Sequence, residues 1–188
     1  MTRNRVFGAF AAFCTLAIGG AGMGDEHGHE HKAPVASPEW DKLKALVGNW
    51  EGTAEMNGKP MPTRTSFKLI SGGSVLMNTL AEGTPHEMVT MFHMDKKDLI
   101  ATHYCAAQNQ PRFKGTAGKE PNQVVFDFTD GTNIAPGEGH MQRLVVTMVD
   151  GDHHYEDWTF RDHGKDTTNR FDFHRAREAS NDKVEHTK

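Results

Sequence analysis

Leu144-Val145-Val146-Thr147-Met148-Val149-Asp150-Gly151-Asp152-His153-His154-Tyr155-Glu156-Asp157-Trp158 is two extended runs around a turn. Leu144, Val146 and Met148 share one parity on the first run; His154, Glu156 and Trp158, continued by Phe160, share one on the second. Opposed residues of an antiparallel pair face the same way. A three-residue turn at Asp150-Gly151-Asp152 therefore pairs Met148 with His154, Val146 with Glu156 and Leu144 with Trp158. The hairpin predicts a sheet whose apolar face also carries an imidazole and a carboxylate.

Similar runs, rich in β-branched, aromatic and Met residues, recur on both sides of this hairpin. They span 49–56, 63–70, 74–81, 86–94 and 99–105, then 111–117, 123–129, 140–149, 153–161 and 167–176, separated by turn residues such as Asn57-Gly58, Gly72-Gly73 and Asp95 to Asp98. Ten sequential strands joined by hairpin-length turns predict an all-β, ten-stranded up-and-down antiparallel barrel, which has no exposed edges to protect. Alternation turns Val124, Phe126 and Phe128 inward against Asp127 and Thr129, and Phe171 and Phe173 inward against Arg170, Asp172 and Arg175. The turn at 95–98 pairs Met94 with Leu99, Phe92 with Ala101, Thr90 with His103 and Met88 with Cys105, so His103 and Cys105 are expected inside. Many methionines, among them Met77, Met88, Met94 and Met148, fall on the expected inward stripes, as adaptable core filler.

Ahead of the strands, Ser37-Pro38 reads as an N-cap and first helical residue. Trp40, Leu43, Leu46 and Val47 lie on one face of a short N-terminal helix of about three turns, stopped at Gly48. Residues 38–176 are thus one barrel domain and 177–188 a polar tail. Met1 to Arg5 is positive, Val6 to Ile18 is uncharged and Gly19 to Gly22 are small. That is the order of a secretory signal over 1–24, too short an apolar run to span a membrane, with cleavage expected after Ala21 or Gly24. The expected location is periplasmic or secreted, without a membrane anchor in the mature chain. Cys105 is then the one cysteine left, and the core must hold the domain without a disulfide.

The 188 residues carry a net charge of −4. Removing 1–24, which contain Arg3, Arg5 and no acid, leaves 19 basic against 25 acidic residues and a charge of −6. Nucleic acid is not an expected partner of such a chain. Nor does it carry a nucleophile-elbow serine, a phosphate loop or an HExxH helix, so a binder is expected rather than an enzyme.

Gly48-Asn49-Trp50-Glu51-Gly52-Thr53-Ala54, opening the first strand after a short helix, resembles the Gly-x-Trp start of calycin barrels such as lipocalins. It is also similar to the Gly-x-Trp-x-Gly-x-Gly pattern of nitrobindin-like haem-binding barrels, with Ala54 in place of the last glycine. From Trp40 to Ala176, about three quarters of the chain resembles exported bacterial barrel domains of unknown function. The resemblance implies a calycin-like barrel, with Trp50 closing its base under a last-strand arginine, Arg170 or Arg175. The nitrobindin likeness implies haem held by a last-strand histidine. His174 is the candidate, and its parity with Arg170 and Asp172 turns it toward solvent.

The inward polar groups carry the functional expectation, because a buried His or Glu is costly unless paired or hydrated. His103, Cys105, His154, Glu156 and Trp158, with Phe126 and Phe128 and with His140 beside them, are the candidate ligand-binding residues. A few polar groups in an apolar lumen orient one end of a small, largely apolar ligand. Two alternatives stand beside it: a metal- or haem-handling protein and a packed-barrel interaction module. Metal could be bound by His103 with Cys105, or by the flexible His-rich leader over 25–37. In the leader His27, His29 and His31 alternate, and cleavage after Gly24 would make His27 a third residue suited to copper(II) or nickel(II).

Overall fold

Ser37 caps a helix α1, Pro38–Lys44, its hydroxyl accepting from the Trp40 N–H at 3.1 Å, and Pro38 occupies the first turn as its missing N–H allows. The computed structural model describes residues 37–56 and 59–177. The proposed signal, the leader with His27, His29 and His31, and nearly all of the polar tail lie outside them. The helix is two turns long rather than three. Trp40, Leu43 and Leu46 are buried and Val47 is exposed, because the chain leaves the helix before Val47 completes the apolar face.

Gly48, at φ 136°, turns the chain into β1, Gly48–Met56. Then follow β2 (Lys59–Ile70), β3 (Val75–Leu80), β4 (Met88–Asp95), β5 (Asp98–Tyr104) and β6 (Gln110–Ala117). The circuit continues with β7 (Gln123–Thr132), β8 (His140–Met148), β9 (His153–Asp162) and β10 (Lys165–Arg175). Each strand pairs antiparallel with the next, and β10 pairs with β1, closing a ten-stranded antiparallel barrel. All ten expected strands are present. Met148 pairs with His154, Val146 with Glu156 and Leu144 with Trp158, as the three-residue turn requires. Met94 pairs with Leu99, Phe92 with Ala101 and Thr90 with His103.

Two expectations fail at strand ends and faces. Met88 pairs with Leu80, not Cys105: β5 stops at Tyr104, where the Cys105 N–H turns to the Asn109 carbonyl at 3.0 Å. Met77 lies on the outer face of β3, since Leu76, Asn78 and Leu80 take the inner one.

One barrel end is closed. The Trp50 indole N–H donates to the Leu46 carbonyl at 2.8 Å, tying the barrel to the segment that follows the helix. The Arg175 guanidinium lies 4.2 Å over the Trp50 ring and donates to the carbonyls of Ala45, Val47 and Gly151 and to the Asp152 carboxylate. Of the two expected arginines, Arg175 does the covering; Arg170 stacks instead on Tyr155.

Candidate functional site

Inward residues form three tiers along the barrel. Nearest the closed end, Trp50, Phe67, Leu76, Phe92, Phe126 and Phe173 are all under 4% exposed and fill the section. Phe126 packs on Phe92 at 5.1 Å. Next comes a polar belt. Asn78 donates to Thr65 Oγ1 at 2.6 Å, and the Thr65 hydroxyl donates to the Thr79 carbonyl at 3.1 Å. His103 Nδ1 and Thr90 Oγ1 share a hydrogen bond of 2.8 Å. Glu156 accepts from the Trp158 indole at 3.0 Å and from His154 Nε2 at 3.3 Å. Among the described residues, the buried side-chain polar atoms without a hydrogen-bond partner are His103 Nε2, His154 Nδ1 and, in the turn after β5, Asn109 Oδ1. His154 fills the boundary between the tiers, edge-on to Trp50 at 4.4 Å.

Burial drives the His103 pKa down to about 4, because the imidazolium would lose its hydration. In the unfolded chain the same ring titrates near 6.5. Between those values the unfolded state holds a proton that the folded state lacks. His103 is therefore neutral in both states at pH 7 and adds almost no protonation cost there, and stability falls as the pH drops from about 6.5 to about 4, by about 3 kcal/mol. Denaturant unfolding across this range is expected to show a slope that His103→Phe makes shallower. An unchanged slope in that variant would contradict the assignment.

Above the belt the tiers stop meeting. A cavity of about 790 Å³ opens at the end away from the helix, walled by Ala54, Leu80, Met88, Met141 and Phe171 and touching Trp158. The β3–β4 loop, through Ala81, Glu82, Thr84 and His86, forms part of its rim, and Arg64 and Asn169 also line it. Gly52 borders it where the β10 backbone leaves no room for a Cβ on β1. Met141 reaches the lumen through an irregularity of pairing between Met141 and Arg143.

The seven candidate ligand residues are thus not one surface. Trp158 joins belt to cavity, with its ring 4.7 Å from that of His103. His103, His154 and Glu156 are enclosed in the belt, at most 1% exposed. Phe126 belongs to the packed tier and does not line the cavity. Phe128 is half-buried, T-shaped to Phe113 at 6.5 Å and 4.5 Å from the half-buried His140 ring. Cys105 lies past β5 in a turn. Burial pushes its thiol pKa up, against a smaller lowering by the backbone of Ala107 and Ala106, so it is a poor thiolate. With Cys105 off the strand, the expected pairing of His103 and Cys105 as metal ligands loses its geometric basis.

His174 is exposed on the outer face of β10, with its ring stacked on His153 at 4.2 Å. The inward residues of β10 include Phe171 and Phe173 but no histidine. A last-strand histidine ligand for haem in the lumen therefore does not fit this chain. Sequence reasoning missed the cavity walls Leu80, Met88, Met141 and Phe171 as a group, and also the cluster of His153, Asp172 and His174, whose ligating atoms lie within 4.8 Å of one another.

No protein-family model matches the chain, and no curated protein does. Among solved structures the chain is similar to Rv2717c from M. tuberculosis, at 20% identity and a TM-score of 0.49, over 75% of this chain and 99% of that one.

Proposed function

We propose that this protein is a non-enzymatic, calycin-like barrel that takes a small, largely apolar molecule into the open half of its lumen. The supporting observation is the 790 Å³ cavity, whose walls are mainly aliphatic and Met side chains and whose floor includes Trp158. Its volume lies within the roughly 300–1,000 Å³ of small-molecule sites. Apolar walls supply affinity without direction; direction comes from the polar groups at the rim, Arg64, Glu82, His86 and Asn169, which suit a polar end left near the mouth. The belt below acts through Trp158: Glu156 holds the indole N–H, so the ring's orientation at the cavity floor is set from beneath. The secretory pattern over 1–24 supports a location outside the cytoplasm, in the periplasm or medium.

The test is titration of full-length protein with a fluorescent fatty acid and, separately, with haem, following Trp emission and ligand absorbance. Wild type is expected to bind an apolar probe, and Met88→Trp, which fills the mouth, to bind it at least about tenfold more weakly with its thermal unfolding unchanged. Equal binding by both proteins, or none by either, would remove the reading.

A further inference from the structure

We propose that His153, Asp172 and His174 form a site for a divalent transition-metal ion on the outer wall of the barrel, separate from the lumen and independent of its occupant. Register creates it. His153 on β9 is paired directly with His174 on β10, and Asp172 lies two residues from His174 on the same outward face. Both imidazoles converge on one oxygen: His153 Nε2 is 2.9 Å and His174 Nε2 3.6 Å from Asp172 Oδ1. A tetrahedral ion with bonds of about 2.0–2.1 Å holds its ligand atoms about 3.3–3.4 Å apart; the two N–O distances lie on either side of that value, and all three ligating atoms lie within 4.8 Å of one another, so binding an ion draws the two rings together by rotation of their side chains.

The donor set is two imidazole nitrogens and one carboxylate oxygen, which suits zinc(II), nickel(II) and copper(II), with copper(II) the tightest of the three. The rings lie side by side, but as a stack their in-plane lone pairs run nearly parallel, so an ion must draw at least one ring out of the stack. They stack at 4.2 Å and 17°, and His153 is also packed edge-on to Tyr155 at 4.7 Å. Nearby cations are occupied: Arg170 makes two bonds to Asp157, at 2.7 and 2.8 Å, and Arg175 holds Asp152 at 3.0 Å. A depression of about 390 Å³ borders His174, together with Asp152 and Arg175 to Arg177.

The experiment is a zinc titration of the full chain carrying His27→Ala, His29→Ala and His31→Ala, so that the leader does not compete. Imidazole ¹H–¹⁵N spectra are expected to show the His153 and His174 nitrogens shifting together within the first equivalent. Losing even a supporting partner of a metal ligand weakens binding about 10- to 100-fold, so His174→Ala and Asp172→Asn should each weaken zinc at least that much. His174 is exposed, and thermal unfolding of its variant without zinc is expected to match that of the parent. If the cluster is only a His–Asp–His ion pair, the two nitrogens stay in place as zinc is added, or His174→Ala binds as tightly as its parent; either result overturns the site.

Discussion

Gly52→Ala is expected to lose more than about 4 kcal/mol of stability, placing it among the exceptional single substitutions. A Cβ at Gly52 would lie 1.8 Å from the Asp172 carbonyl oxygen, 2.8 Å from its carbon and 3.0 Å from Phe173 Cα. All three are backbone atoms of β10, so no side chain can swing aside. Relief requires β1 and β10 to separate, and that pair is the seam that closes the barrel. For a domain of this size each kcal/mol is worth about 2–4 °C, so the melting temperature should fall by on the order of 10 °C or more. Gly151→Ala is the control: its Cβ would meet nothing within 4 Å, and its stability should stay within about 0.5 kcal/mol of wild type. A Gly52→Ala protein melting within 3 °C of wild type would contradict the closeness of the seam.

Trp50→Ala should cost about 3–5 kcal/mol, the range for emptying a buried Trp site. The ring is 1% exposed and touches His154, and it also carries two links that are not hydrophobic: the bond to the Leu46 carbonyl and the Arg175 guanidinium above it. Removing the indole orphans the carbonyl and leaves Arg175 without its platform. A double-mutant cycle of Trp50→Ala with Arg175→Met should therefore return a coupling of about 1 kcal/mol. Additive losses would mean that the arginine is held by its hydrogen bonds alone.

Strand number and facing were legible because both follow from a period of two and from turn lengths. The three-residue turn at Asp150-Gly151-Asp152 and the short turn at 95–98 by themselves set partners such as Met148 with His154. Height along the axis was not legible. Phe126 and Phe171 alternate in the same way, yet one is jammed among the rings of the packed tier and the other lines open space, because packing depends on neighbours brought in from other strands. Cys105 departs from its expected inward position for a different reason: the sequence alternation continues past Tyr104, while in the fold the Asn109 carbonyl captures the Cys105 N–H and ends the strand. The His153, Asp172 and His174 cluster did have a signal. His163 and Gly164, both at positive φ, make a two-residue turn that pairs Asp162 with Lys165, and counting back from it sets His153 opposite His174.

The seam between β1 and β10 also bears on how the molecule comes into being. Trp50 and the Arg175 that covers it lie at opposite ends of the strand circuit, on β1 and β10. Neighbouring hairpins can zip locally, but the circle closes only when the first and last strands meet, and until then β1 and β10 each present an unsatisfied edge.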